Sequence, residues 1–236
     1  DCYPESKNWI KEMAKNFDNN TSIVLGYGGY KKYPTILNTL IRFDTIIIAL
    51  QYFTYALSGF PYMGVGRNLA YKKSLFFKNK GFAKHYHIDS GDDDIFINQT
   101  ATKKNTKIEI SRDSIIRSEP NRTLGGWFKQ KSRHLTSAKF YNRKTKYRLL
   151  TEIFSRIAFY ALFVLSLVFF TKFHLYIIGI FLVRFLSQLI IYQKIMNRLN
   201  ENYLLIVSLF YDLLLPFFNF IGIISNKITA RNNKWN

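Results

Sequence analysis

The chain has 236 residues, with 34 Lys and Arg against 15 Asp and Glu and a formal net charge of +19. Its single cysteine, Cys2, excludes an intramolecular disulfide and a zinc site built from cysteines. The positive charge fits nucleic acid, an anionic membrane surface or a phosphorylated substrate. Because the aromatic residues lie in apolar runs rather than among the basic residues, the pattern favours a membrane and phosphate over nucleic acid.

The first 150 residues predict a mixed α/β domain. Short apolar runs bounded by Gly, Pro and Asn indicate strands, and longer periodic runs indicate helices. The expected elements are helices at residues 4–17, 34–57 and 72–79 and strands at residues 22–27, 107–110 and 115–117. The helix at 34–57 is apolar, but Arg42, Asp44 and Gln51 argue against a complete membrane span and favour an interfacial position.

Three adjacent carboxylates, Asp92, Asp93 and Asp94, follow Ser90-Gly91. A helix over residues 92–101 would carry them in its first turn, where the helix dipole favours negative charge. One interpretation is a solvated helix end. The other is a general base that takes a proton from a hydroxyl group, with its neighbours shifting its pKa or contacting a metal.

A basic helix is expected over residues 123–142. Gln130, Arg133 and His134 share one face of it, and Trp127 lies one turn earlier. An amphipathic helix on a membrane surface is one interpretation. In the other, Arg133 supplies charge and forked donors to a nucleotide diphosphate, while Gln130 orients it and Trp127 covers the site.

A glycine-containing run, Gly64-Val-Gly66-Arg-Asn68, precedes the carboxylates. Glycine lets the backbone approach a ligand closely, although most runs of this kind are turns. On its own this run is therefore a weak signal.

Apolar segments at residues 153–173, 175–192 and 204–225 follow the basic helix. A bilayer span needs about 20 apolar residues, so the sequence predicts a membrane region at 151–236 behind a domain at 1–150. Arg184 and Asp212 lie inside these segments. They are costly in lipid and are expected to face protein, water or each other. The basic residues of the loops leave the number of spans and the side of the C-terminus open.

The order of Asp1-Cys-x-Pro, Gly-x-Gly-Arg-Asn, the acidic triplet, Gln-x-x-Arg-His and the membrane segments resembles the membrane-anchored family 2 glycosyltransferases. The resemblance covers essentially the whole chain, and its most specific part is the triplet followed by Gln-x-x-Arg-His. It implies a mixed α/β fold of the GT-A type and an inverting enzyme. It also implies a nucleotide-diphosphate sugar as donor and a divalent cation, Mg²⁺ or Mn²⁺.

The resemblance also implies roles for particular residues. Asp93 corresponds to the family's base, with Asp92 as its partner and Asp94 as the alternative register. Gln130, Arg133 and His134 correspond to the family's Gln-x-x-Arg-Trp, with His in place of Trp. That replacement leaves the phosphate contact intact and puts processive polymer synthesis in doubt.

The glycine run and the N-terminus also have counterparts in the family. Gly64, Gly66 and Asn68 resemble the segment that lines the donor and acceptor sugars. Asp1 resembles the last Asp of the metal-binding Asp-x-Asp motif. Because the rest of that motif and the nucleotide-binding half would precede it, we expect this chain to be the C-terminal portion of a GT-A domain and inactive in isolation.

The sequence thus predicts sugar transfer with inversion to a glycan or lipid-linked acceptor, in cell-envelope polysaccharide or glycolipid synthesis. Membrane lipid is an expected partner and nucleic acid is not. The expected location is a bacterial inner membrane that is crossed several times, with the catalytic part on the cytoplasmic face. The alternative is a non-enzymatic scaffold whose basic helices bind anionic lipid.

Overall fold

The computed structural model describes residues 2–83, 91–208 and 210–211. Strands and helices alternate through the first two thirds of the chain, and two long helices follow. The strands are β1 (Cys2–Pro4), β2 (Ile23–Gly26), β3 (Gly28–Tyr30), β4 (Leu69–Tyr71), β5 (Thr106–Glu109) and β6 (Ile116–Ser118). The α-helices are α1 (Trp9–Ala14), α2 (Ile36–Leu57), α3 (Lys73–Lys78), α4 (Asp92–Thr100), α5 (Leu124–Leu135), α6 (Arg143–Phe169) and α7 (His174–Arg198). The expected mixed α/β class is confirmed.

The strands form two small sheets. In one sheet the order is β4-β2-β5, with β2 antiparallel to β4 and parallel to β5. In the other the order is β1-β6-β3, with β6 antiparallel to β1 and parallel to β3. Only Tyr27 separates β2 from β3, so the chain passes from one sheet to the other at a single, fully buried residue.

Helix α2 packs on the sheets and supplies much of the core. Thr35 caps its N-terminus by accepting a hydrogen bond from the Asn38 N–H. Phe43, Ile46 and Tyr52 are buried beside β2, and burial of each such side chain stabilises the fold by about 1.5–3 kcal/mol. Half of the most apolar window of this helix is buried inside the protein. Much of the apolar surface that suggested an interfacial helix therefore contacts protein.

Helices α6 and α7 form an antiparallel hairpin with little protein around it. Three helices of the described residues, α2 among them, are long and apolar enough to cross a membrane. In α6 none of the apolar window is buried, and in α7 the buried share is 6%. Phe163 and Phe181 stack between the two helices with their ring centroids 4.5 Å apart.

The hairpin also holds one of the two charges expected to be costly in lipid. The guanidinium of Arg184 lies 4.3 Å from the ring centroid of Phe159 and donates to the hydroxyl of Tyr160. The expectation that this charge faces protein is confirmed. Its possible partner Asp212, and most of the third apolar segment, lie outside the described residues.

Several predicted boundaries were wrong. The helix expected at 4–17 is confined to α1, because residues 2–4 pair with β6 as β1. The basic helix expected at 123–142 ends at Leu135 and is followed by a 3₁₀ turn at Ser137–Phe140. Helix α6 begins at Arg143, ten residues before the predicted span, because Asn142 caps it by accepting from the Thr145 N–H.

A buried carboxylate fastens the segment after α7 to the rest of the protein. Glu201 is 1% exposed and accepts two hydrogen bonds from Arg42 of α2, at 2.8 and 2.5 Å. It also accepts from the guanidinium of Arg117 on β6 and, at 3.1 Å, from the hydroxyl of Tyr27. One side chain thus joins α2, β6 and the crossover between the sheets to the foot of the hairpin.

We expect Glu201→Gln to destabilise the protein strongly. The change leaves the buried Arg42 with a neutral partner and Arg117 with Glu5 as its remaining carboxylate, and breaking a buried ion pair typically costs about 3–5 kcal/mol. Thermal and denaturant unfolding of the protein in detergent measures the loss. The control is Glu119→Gln, which removes an exposed pair with Lys31. Equal stability of the two variants would contradict this account.

Candidate active site

A cleft of about 590 Å³ opens where α4, the Gly66 turn and the end of α5 meet. It has an apolar side, formed by β4 and Phe82, and a polar side. Its lining residues are Gly66, Leu69, Ala70, Tyr71, Phe82, Gly91, Asp92, Asp93 and His134. The structure therefore places part of the acidic triplet and part of the Gln-x-x-Arg-His motif around one space.

Asp93 is the carboxylate that the cleft holds most firmly. Its Oδ2 accepts a hydrogen bond of 2.5 Å from the Gly66 N–H, and its Oδ1 accepts one of 2.9 Å from the Asp94 N–H. Burial raises the pKa of Asp93 and the charge of Asp92 adds to the rise, which these backbone hydrogen bonds offset only in part. A fixed carboxylate with a raised pKa has the properties of a general base.

The other two carboxylates of the triplet have different environments. Asp92 is exposed at the edge of the cleft. Asp94 is buried, and its Oδ2 accepts a 3.3 Å hydrogen bond from the hydroxyl of Ser137. Burial, together with the charge of Asp93, raises the pKa of Asp94 well above its usual range. Of the three aspartates that the sequence allows as the base, Asp93 is the one that is both fixed by hydrogen bonds and open to the cleft.

Glycine is required at two positions around Asp93. A Cβ at Gly66 would lie 2.6 Å from Asp93 Oδ2, so a side chain there would displace the carboxylate. Gly91 has φ of +89° immediately before α4, and a Cβ there would lie 2.4 Å from Ser137 Cβ. Both glycines let α4 begin in close contact with its neighbours.

The residues of the α5 motif point in different directions. His134 lines the cleft, and Arg133 is exposed beside it. Gln130 lies one turn earlier on the helix. Its Nε2 donates to the hydroxyl of Tyr30 at 3.1 Å, and its Oε1 accepts from Asn121 at 2.6 Å. Trp127 is 3% exposed and packs in a small core with Tyr30. This placement does not support the expectation that Trp127 covers a ligand.

The pKa of His134 is lowered to about 4. Partial desolvation of the imidazole is the largest cause, although the residue as a whole is exposed, and the positive charges of Arg133 and Arg67 add to it. The imidazole is therefore neutral at physiological pH, and it brings one hydrogen-bond donor and one acceptor to the cleft.

Within the glycine run, only Gly66 reaches the cleft. Gly64 is packed so closely that a Cβ would lie 2.9 Å from a methyl group of Leu25. Asn68 is 1% exposed and donates to the carbonyl oxygens of Tyr27 and Ser114, at 2.8 and 2.7 Å. Gly64 and Asn68, both expected to line the sugar sites, therefore hold the turn in place. Asp1, the predicted metal ligand, lies outside the described residues.

Sequence reasoning missed a pair of residues next to the site. The guanidinium of Arg67 lies 4.2 Å from the ring centroid of Tyr30, on the side of β3 that faces the Gly66 turn. Tyr30 in turn holds Gln130 through the hydrogen bond already described. The sequence feature that could have indicated Arg67 is its position in the glycine run, between Gly66 and Asn68.

A cation on the hidden side of α5 fixes the helix to α2. Lys131 Nζ lies 2.6 Å from Asp44 Oδ1, and both side chains are at most 8% exposed. The Asp44 carboxylate also accepts from the hydroxyl of Tyr211. Because Lys131 points into the protein, Arg133, two positions further on, is directed to the other side of the helix.

We expect the imidazole of His134 to titrate below the ordinary histidine pKa of about 6.5. Partial desolvation and two nearby guanidinium groups oppose the added positive charge. Two-dimensional NMR of the protein labelled in its histidine rings measures the midpoint, and His134→Gln identifies the signal. A midpoint at or above the ordinary value would contradict this desolvated, positively charged environment of the imidazole.

Comparison with known proteins gives one clear result. A model of the family described as glycosyl transferase family group 2 matches residues 8–222. No curated protein matches the chain. The family match includes the Gly66 turn, the acidic triplet, α5 and the hairpin, and it extends over most of the 236 residues. The chain belongs to glycosyltransferase family 2.

Proposed function

We propose that this protein transfers a sugar from a nucleotide-diphosphate donor to an acceptor hydroxyl with inversion, and that Asp93 is the general base. Membership of family 2 implies glycosyl transfer from a nucleotide sugar. The observation that supports the finer proposal is Asp93 itself, fixed by two backbone N–H groups in the wall of the cleft and raised in pKa.

The proposed chemistry is a single displacement. Asp93 accepts the proton of the acceptor hydroxyl, whose oxygen attacks the anomeric carbon of the donor sugar. The bond between that carbon and the diphosphate breaks as the new bond forms, so the configuration inverts. Exposed Arg133, beside His134 at the edge of the cleft, supplies positive charge to the departing diphosphate.

A divalent cation fits the donor chemistry of the cleft in part. Asp92 and Asp93 offer carboxylate oxygens, the ligand type that Mg²⁺ and Mn²⁺ prefer. The described residues contain no cluster of three or more His, Cys, Asp or Glu side chains that could hold a metal. A cation held there would take its remaining ligands from substrate phosphate and water, and would neutralise charge on the diphosphate.

We also propose that the α6–α7 hairpin inserts into a membrane from the cytoplasmic side. Its large apolar side chains are exposed in the described structure, as lipid contact requires. Exposed cations lie at its open end, at Arg143 and Lys144 in the first turn of α6 and at Lys194 and Arg198 at the end of α7. This concentration of basic residues at the end that carries the domain is typical of the cytoplasmic side.

The catalytic and membrane regions share one core in this proposal. Tyr192, Met196 and Leu199, at the end of α7, belong to the same buried cluster as Phe43 of α2. Phe43 and Tyr192 are in edge-to-face contact with centroids 5.5 Å apart. The hairpin thus holds the domain directly at the membrane, where a lipid-linked or growing glycan acceptor would be presented.

We expect Asp93→Asn to abolish most of the activity of the complete protein in isolated membranes. Removal of a general base typically costs about 10²–10⁴-fold in rate. The assay is transfer of radiolabelled sugar from a panel of UDP- and GDP-sugars to endogenous membrane acceptors. The matched control is Asp113→Asn, which changes an exposed aspartate remote in sequence from the cleft. Unchanged transfer by Asp93→Asn would contradict the role of Asp93 as the base, and absence of transfer by the unaltered protein would favour the non-enzymatic scaffold.

We expect Gly66→Ala to reduce activity through displacement of Asp93. The added Cβ would lie 2.6 Å from the carboxylate oxygen, and the close approach that fixes the base would be lost. Gly125→Ala is the control, because nothing lies within 4 Å of a Cβ built there. The two variants are compared in kcat and in melting temperature. Loss of kcat in both, or in neither, would contradict this role of the Gly66 turn.

A further inference from the structure

Arg67, like Arg148, is half-buried and lies against an aromatic ring, whereas three other arginines are paired with carboxylates. Arg42 and Arg117 are each paired with a carboxylate, and Arg156 is paired with Glu152. None of the ion pairs formed between described residues includes Arg67. Its contacts in that part of the chain are the face of Tyr30 and a long hydrogen bond of 3.4 Å to the Gly29 carbonyl.

The side chain is nevertheless held in a defined place. Its Cβ and Nε lie 3.1 and 3.5 Å from where a Cβ of Gly28 would be, so glycine at that position makes room for it. The aromatic face of Tyr30 supports the guanidinium plane from one side. A guanidinium group has five N–H donors, and one of them has a hydrogen-bond acceptor here.

The position is adjacent to the proposed site. Arg67 directly follows Gly66, whose N–H holds Asp93, and its charge acts on His134 across the cleft. Carboxylates therefore occupy the α4 wall, while Arg67 and Arg133, outside the lining itself, bring positive charge close to His134. An arginine that is half-buried, supported on an aromatic ring and beside a cleft is a suitable partner for a planar oxyanion.

We propose that Arg67 is a second anion-binding residue of this site and contacts a phosphate group of a substrate. The inference rests on the proposed transferase function. Two substrates could carry that phosphate: the nucleotide-diphosphate donor and a lipid-linked acceptor with a phosphate in its linkage. The chemistry recognised is the same in both cases, and kinetics separate them.

The first experiment compares Arg67→Gln and Arg67→Lys in the complete protein, with Arg122→Gln as the control. Arg122 is an exposed arginine outside the cleft lining. The readouts are KM for donor, KM for a lipid-phosphate acceptor, kcat, and inhibition by inorganic pyrophosphate. We expect Arg67→Gln to raise one KM at least tenfold and Arg67→Lys to recover part of the loss, since it restores charge without the forked donors.

The pattern identifies the source of the phosphate. If the donor binds Arg67, KM for the donor and the inhibition constant of pyrophosphate rise together, and KM for the acceptor does not. If the acceptor binds it, only KM for the acceptor rises. If Arg67 has only a structural role, Arg67→Gln would lower the melting temperature and change both KM values and kcat to a similar extent. All constants within twofold of the unmodified protein, or an unselective loss, would overturn the proposal.

A second measurement needs no variant. Phenylglyoxal modifies accessible arginines, and peptide mass spectrometry follows Arg67 and Arg122 in the same sample. We expect inorganic pyrophosphate with Mg²⁺, or a lipid-phosphate acceptor, to protect Arg67 selectively. Equal modification with and without both probes would overturn the proposal. Absence of sugar transfer by the unmodified protein would instead overturn the transferase function, and pyrophosphate protection would still test anion binding at Arg67.

Discussion

The buried carboxylate of Glu201 is the interaction on which the arrangement of the whole chain depends. It receives guanidinium groups from α2 and β6 and the hydroxyl of the residue that links the two sheets. Removing two opposite charges from water is costly, and that cost is offset only when every partner is in place. All partners of Glu201 are therefore present only when the end of α7 packs against the domain. This packing fixes the hairpin relative to the cleft.

Helix α2 carries the polar side chains that make this possible. Arg42 and Asp44 are two positions apart, so they project about 200° apart around the helix. Arg42 reaches Glu201 at the foot of the hairpin, whereas Asp44 reaches Lys131 on α5. Arg42 and Asp44, which in the sequence argued against a lipid-facing helix, thus form ion pairs on two sides of α2. Through these two ion pairs α2 is joined to the segment after the α6–α7 hairpin and to the helix that carries His134.

Sequence patterns were sufficient wherever a segment is defined by its own residues. The apolar run at 22–27, the helix after Pro34 and the long apolar segments were all recognisable, and the mixed class followed from them. Strands β3 and β4 were missed because three-residue strands, one reading Gly-Gly-Tyr, exist only through pairing with distant partners. The directions of Trp127 and Gln130 were equally hidden, because packing of α5 on α2 decides which face of that helix is buried.

The acidic triplet shows how environment divides one residue type among different tasks. Successive helix residues point about 100° apart, so three adjacent aspartates cannot all have the same environment. Asp92 is left to solvent, Asp93 faces the cleft and Asp94 is buried. The buried member positions the site, because the Ser137 hydroxyl lies 3.3 Å from Asp94 Oδ2 and 2.8 Å from the carbonyl oxygen of His134. Through Ser137, the buried carboxylate thereby connects the start of α4, which carries the proposed base, to the end of α5, which carries the imidazole.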